Sequence, residues 1–263
     1  VHGGTHRVMS NADDFLAEIR ARPELDEPRL IYADWLEERG DPLGEFIRLQ
    51  CLPSDLLRPN HRSAAAIRIE DLQRRFSQRW IGFHVPKGFH VYFRRGFPEV
   101  ASLSGPVFVG PNGHRVLQIE MLRDLRIDGW YRTGQGVVQV LSRAGFRARL
   151  DCLRIANCGL SIWEVRKVAR LPLLRHVRKL DLSWNRSICA GCIAEIARSE
   201  VLNRLELLDI QGACFGRETI EAILSEPALD RLKLLIISRV QQRDFQSYEN
   251  RLNKKFADRI EYR

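Results

Sequence analysis

The residues best suited to chemistry in this chain are two cysteines, a run of acids and scattered histidines. Cys189-Ala190-Gly191-Cys192 has the two-residue gap of zinc and dithiol sites. A zinc site needs three or four ligands, and no second C-x-x-C accompanies it. A redox dithiol is expected beside a βαβ unit of a kind this stretch does not suggest; small residues at a turn-to-helix junction account for the pair structurally. Asp34, Glu37, Glu38, Asp41 and Glu45 form an acidic cluster, and Asp34 and Glu38 stand one helical turn apart. No histidine joins them, while Arg29, Arg39 and Arg48 lie close enough to neutralise them. A solvated ion-pair face is therefore expected rather than an acid–base centre. His61, His84, His90, His114 and His176 are isolated from cysteines and acids at useful spacing. The sequence holds no Gly-rich phosphate loop, no S-x-x-K, no His–Glu metal helix and no nucleophile elbow. No catalytic activity, cofactor or metal is expected.

What positions these residues is a repeat. Leu122-x-x-Leu125-x-Ile127, Leu150-x-x-Leu153-x-Ile155, Val177-x-x-Leu180-x-Leu182, Leu205-x-x-Leu208-x-Ile210 and Leu232-x-x-Leu235-x-Ile237 share one apolar pattern. The steps between their central leucines run 28, 27, 28 and 27 residues. The pattern resembles leucine-rich repeats, in which a short strand is followed by a turn and a helix. One such unit cannot bury its own apolar face, so neighbours must stack to make a core. The fold class expected is α/β: a solenoid of short parallel strands and helices in 27–28-residue repeats, with an N-terminal helical domain. The helical faces expected inside are Val137, Val138, Val140 and Leu141, then Val165, Val168 and Leu171, then Ile193, Ile196 and Ala197, then Ile220, Ile223 and Leu224.

In that architecture the residues between the apolar positions face the concave side, and equivalent positions form columns one strand spacing apart, ~4.8 Å. Arg123, Asp151, Arg178, Glu206 and Lys233 alternate in sign, which predicts an ion-pair ladder worth ~0.2–1 kcal/mol per pair. Arg126, Arg154, Asp181, Asp209 and Ile236 are segregated instead, positive early and negative late. Like charges side by side gain nothing unless something fills the space between them. The next concave position carries Gly129, Asn157, Trp184, Gly212 and Arg239. Trp184 offers the large rigid area of a binding hot spot, or else folds over the edge onto a neighbouring loop. One place further on, Cys158 and Asn185 suit the interior bend of the turn, with Trp130, Ala213 and Val240 at the equivalent positions.

Ahead of the repeats, residues 12–50 read as three short helices. Phe15, Leu16 and Ile19 face the core on the first, which Pro23 ends. Asp26 and Pro28 start the second, which carries Leu30, Ile31, Tyr32, Ala33, Trp35 and Leu36 to a glycine stop at Gly40. Asp41-Pro42 caps and starts the third, burying Phe46, Ile47 and Leu49. A further helix or two is expected over 55–80, a strand over Phe89–Phe93 and a first rung over Phe97–Val100. The run Asp26-Glu27-Pro28-Arg29-Leu30-Ile31-Tyr32-Ala33-Asp34-Trp35-Leu36-Glu37-Glu38-Arg39-Gly40-Asp41-Pro42 resembles the bacterial repeat-companion domain. So do the flanking Phe15–Ile19 and Gly44–Gln50, with Arg94–Val100 and Phe256–Ile260 further on. That domain is found at the N-terminus of leucine-rich-repeat proteins. The resemblance implies an architecture and no catalytic activity.

The division expected is a tag or disordered start over 1–9, the helical domain over 10–87 and the repeats over 88–263, moving as one body because no flexible linker intervenes. Ser104–Arg115, rich in Pro and Gly, reads as a surface loop, and Phe245, Leu252, Phe256, Ile260 and Tyr262 as a terminal cap. The six scattered cysteines suit a reducing cytoplasm, and no run of 18 apolar residues suggests a membrane span. The net charge of +9 is concentrated in residues 115–186, with 15 basic and 6 acidic side chains. These observations imply a monomeric, cytoplasmic scaffold for an unidentified protein partner, which Arg126, Arg154, Asp181, Trp184 and Asp209 would contact. The alternative is nucleic acid or another polyanion held by Arg143, Arg147, Arg149, Arg166, Lys167 and Arg170.

Overall fold

The computed structural model describes residues 11–53, 63–129, 133–143, 146–213, 216–238 and 245–263. The expectations for residues 1–9, for the helix start over 55–62 with His61, and for Trp130, Arg239 and Val240 lie outside the described residues. The chain divides into two compact units: Val1–His84 with Tyr92–Pro98, and Val85–Val91 with Glu99–Arg263. Among the described residues no helix is long and apolar enough to cross a membrane.

The first unit packs four helices: α1 (Ala12–Ala21), α2 (Glu27–Glu37), α3 (Pro42–Gln50) and α4 (Ala64–Ile81). Asn11 caps α1 and Ser63 caps α4, each by accepting a backbone N–H bond from the first turn. Gly40 takes the left-handed conformation expected of a helix stop, at φ 68°. Asp41 then accepts the N–H of Leu43 at 2.9 Å and Pro42 opens α3. Asp26 does not cap α2. Its backbone is already helical, and its carboxylate lies 3.3 Å from Arg95 instead. Phe15, Tyr32 and Trp35 form one ring cluster with centroids 5.4–5.8 Å apart, and Tyr32 stacks on Phe97 at 6.3 Å. Phe46 meets Trp80 and Phe93 at 4.6 and 5.5 Å. Ile31, expected in this core, is exposed.

Buried among these rings is one charge. Arg29 is 0 % exposed, donates to the carbonyls of Pro23 and Arg95 at 3.0 and 3.3 Å, and lies over the Phe97 ring at 5.2 Å. These two carbonyls and the aromatic face lower the cost of taking the guanidinium out of water. The partner carbonyl belongs to the turn between β1 (Phe89–Arg94) and β2 (Phe97–Ser104). Both turn residues, Arg95 and Gly96, have positive φ of 47° and 91°. Two such residues in a row match the right-handed twist of the flanking strands and make a tight hairpin.

The second unit alternates strands and helices: β3 (Asp124–Asp128), α6 (Gly134–Leu141), β4 (Cys152–Ala156), α7 (Ile162–Val168), β5 (Lys179–Asp181), α8 (Ala190–Ala197), β6 (Leu207–Asp209), α9 (Arg217–Ser225) and β7 (Leu234–Ile237). The helix α10 (Phe245–Phe256) and strand β8 (Ile260–Tyr262) close the chain. The eight strands form one sheet in sequence order, parallel from β2 to β8. Leu125, Leu153, Leu180, Leu208 and Leu235 pair with one another in register across it. Every residue of the five apolar triplets is at most 1 % exposed. Burial of each large aliphatic side chain contributes ~1.5–3 kcal/mol, so these columns are the main cohesive element of the unit. The helical faces expected inside are buried as well, except Leu224, which is half-buried.

Ser104–Arg115 is not the loop its composition suggested. Gly105–Val109 is a helix, α5, and a 3-10 turn covers Gly113–Gln118. Pro106 sits in the first turn of α5, where a missing N–H costs nothing. Gly113 is pressed against the carbonyl oxygens of Val107 and Phe108, where a side chain would not fit. At the other end Leu252 and Phe256 of α10 are fully buried.

Candidate functional site

Strand alternation puts the triplets on one face of the sheet and Arg126, Asp128, Arg154 and Asp181 on the other. At the leading edge the expected charge ladder is present in part, without a pair between Asp151 and Arg178 among the described residues. Arg123 pairs with Asp151, and Glu206 pairs with Arg178 at 2.6 Å and Lys233 at 3.1 Å. Hydrogen bonds from Arg178 and Lys233 hold the Glu206 carboxyl below the usual carboxylate range.

The segregated column behaves differently from the expectation. Arg126 turns back along its own strand to Asp124 at 2.7 Å. Arg154 bridges two rungs, contacting Asp128 at 3.0 Å and also Asp181. Its fork reaches both neighbours because they stand on adjacent strands at the sheet spacing. The column is therefore neutralised internally, and like charges are not left facing an empty space. Asp209 is 6 % exposed and accepts the backbone N–H of Gln211 at 2.9 Å. Burial pushes its carboxyl up, and Asp181 adds to this. So enclosed, Asp209 offers little to a partner, and Ile236 beside it is buried too.

Trp184 follows β5 and is 51 % exposed. Its backbone lies in the left-handed region at φ 62°, as do Asn157 at 51° and Gly212 at 76° one repeat before and after. The turn thus demands this conformation, which asparagine and glycine adopt readily and tryptophan does not. The Trp184 ring covers Gly212 so closely that a Cβ there would stand 2.7 Å from Cε3 and 2.9 Å from Cα. One part of the indole leans on the next turn and the rest faces solvent. Beneath it Asn185 is fully buried and ties two repeats together. Its Oδ1 accepts from the N–H groups of Cys158 and Leu160 at 3.0 Å, and its Nδ2 donates to the carbonyls of Ile155 and Leu182 at 2.7 and 2.9 Å.

No protein-family model matches this sequence.

The remaining candidates separate into paired and unpaired groups. In the acidic cluster Asp34 and Glu37 meet Arg48, Glu38 meets Arg39, Asp41 meets Arg79 and Glu45 meets Arg68. This is an ion-pair face of exposed side chains. Among the described residues no group of three or more His, Cys, Asp or Glu is placed to hold a metal ion. Cys189 is the exposed N-cap residue of α8, and its Sγ lies 3.9 Å from that of buried Cys192. Burial pushes the Cys192 thiol up to about 11, which keeps it protonated and weakly reactive near neutral pH.

Of the six cations expected to hold a polyanion, Arg166 and Arg170 share Glu195 at 2.7 and 3.6 Å. Arg143, Arg147, Arg149 and Lys167 are exposed and make no ion pair among the described residues. Arg143 and Arg149 line a cavity of about 500 Å³ together with Leu141, Phe146, Leu171, Pro172, Arg175 and His176. His176 and Arg175 were not singled out by motif. The signal that finds His176 is a further column: the residue preceding each triplet is Met121, Arg149, His176, Arg204 and Arg231, and Arg175 lies next to it.

Proposed function

We propose that this chain is a leucine-rich-repeat solenoid with an N-terminal repeat-companion domain, and that it works as a non-catalytic protein-interaction scaffold in the bacterial cytoplasm. The monomer presents the open, concave face of its sheet to a protein partner, through Arg154, Asp181 and above all Trp184. Trp184 carries the reading. A bulky residue held at positive φ costs on the order of 1 kcal/mol, and the same turn accepts asparagine or glycine in adjacent repeats. Strain of this kind persists where the side chain is used, and a half-exposed indole beside an arginine–aspartate bridge has the composition of an interface hot spot.

The reading has a test in which stability and binding separate. Trp184→Gly relieves the backbone strain, so its unfolding free energy is expected within about 1 kcal/mol of wild type. Capture on immobilised wild type identifies the partner by mass spectrometry, and its affinity is then measured against both forms. Loss of a hot-spot tryptophan weakens such a complex by about 30-fold or more. Arg154→Glu, which breaks the bridge to Asp128 and Asp181, is expected to weaken it as well. If every captured protein binds both variants as it binds wild type, the open face is not the interaction surface.

The polyanion reading narrows once charges are paired. With Arg166 and Arg170 held by Glu195, the six cations leave an extended phosphate backbone Arg147 and Lys167 beyond the Arg143–Arg149 cavity.

A further inference from the structure

From the cavity between the segments that follow α6 and α7, we infer that the second unit binds a small, multiply charged phosphate ester with a flat apolar body, of the nucleotide class. The inference is independent of the open-face reading, since none of its residues belongs to that set.

Three observations converge on it. First, Arg143, Arg149, Arg175 and His176 line one concavity, and none of them meets a carboxylate among the described residues. Elsewhere in this unit arginines of neighbouring repeats are answered by acids, as Arg123, Arg178 and Arg198 are by Asp151, Glu206 and Glu226. Second, the arginines lie close enough to act together on one imidazole. Arg149, His176 and Arg204 occupy the same position in three successive repeats, so they stand in one column. Burial, then Arg149, Arg204 and Arg175, push the His176 imidazole down, with Asp151 opposing them weakly. Its Nδ1 is buried and has no hydrogen-bond partner among the described residues. Arg149 and Arg175, which flank the neutral His176 in the cavity wall, gain nothing structurally from each other, and an anion between them would turn repulsion into attraction. Third, apart from Ser142 the rest of the wall is apolar, with Leu141, Phe146, Leu171 and Pro172 forming most of it. A bare inorganic ion would leave that floor unused.

The volume of about 500 Å³ falls within the range of roughly 300–1,000 Å³ typical of small-molecule sites. Guanidinium forks match phosphate oxygens in pairs, so Arg149 and Arg175 would grip the phosphates while the planar base lies on the Leu–Phe–Pro floor.

Titration calorimetry of the full chain at about 50 mM salt, with ATP, pyrophosphate and adenosine as probes, tests this. ATP is expected to bind, pyrophosphate to bind about tenfold more weakly for want of the floor contact, and adenosine to give no heat. Arg149→Gln and Arg175→Gln should each weaken ATP by about ten- to a hundredfold, the usual worth of a charge-assisted contact. Arg170→Gln, already held by Glu195, should stay within about twofold. Unfolding midpoints check the fold of each variant. If one falls, Arg175→Lys replaces it, keeping the charge and losing the fork; weaker ATP binding then supports the site and full binding overturns it. The inference fails if ATP does not bind, if its affinity ignores both arginine changes, or if adenosine or pyrophosphate binds as tightly as ATP. It fails equally if a ~12-nucleotide RNA binds where ATP does not, because the anion site would then be an extended strand rather than a cavity.

Discussion

Asn185→Ala is expected to lower the unfolding free energy by about 3–5 kcal/mol, read from the urea transition followed by circular dichroism. The side chain is completely buried, and its amide group is the meeting point of two turns. Alanine fills less space and offers no polar atom. The N–H groups of Cys158 and Leu160 would then be left without acceptors inside the protein, each at a cost of about 1–3 kcal/mol. The carbonyls of Ile155 and Leu182 would lose a donor as well. Asn185→Asp restores the acceptor but not the donor and adds a buried charge, so it is expected to be no better than alanine. A loss below about 1 kcal/mol for Asn185→Ala would mean that water reaches these groups and that the two turns are not joined as described.

The second large effect is expected in the first unit. Gly96→Ala should cost about 2–4 kcal/mol, and the cause is chiefly a clash. Gly96 is buried at φ 91°, its N–H donates to Gln50 at 2.8 Å, and an added Cβ would stand 2.9 Å from the Ile47 Cα and closer still to Cγ1. The Ile47 backbone lies in α3 and cannot yield without moving the helix. Gly40→Ala provides the comparison. It shares the positive φ, at 68°, but nothing lies within 4 Å of the added carbon. Only the conformational penalty of about 1 kcal/mol applies there. Equal losses for the two variants would show that the hairpin turn does not press on Ile47.

Legibility in the sequence followed the range of the physics. The triplets could be read because parallel strands paired in register carry the same burial at the same position, so Leu125, Leu153, Leu180, Leu208 and Leu235 recur in type as well as in place. The Asp41-Pro42 start was legible because a cap acts over two residues. Asp26 has the same residue type, but its outcome depends on Arg95, far along the chain, so local chemistry could not decide it. The Pro and Gly residues of 104–115 looked like breakers; one opens a helix and another permits close packing.

Charge was the hardest feature to read. The column through Arg126, Arg154, Asp181 and Asp209 was marked by its segregation, yet Arg154 is long enough to reach across rungs, and Asp124 and Asp128 within β3 supply counter-charges. The column through Arg149, His176 and Arg204 lies just outside the apolar triplets. It emerges only when the repeat is extended by one residue toward its start, and the apolar floor beside it requires segments some 27 residues apart to be brought together.

Hydroxyl-radical footprinting of the free and partner-bound chain tests the central claim most directly, because two tryptophans report on different surfaces. Trp184 beside the open face is 51 % exposed, and Trp163 on α7 is 63 % exposed. The account predicts that partner binding protects Trp184 from oxidation and leaves Trp163 as reactive as in the free chain. Protection of Trp163 with Trp184 unchanged would place the partner on the helices and contradict it.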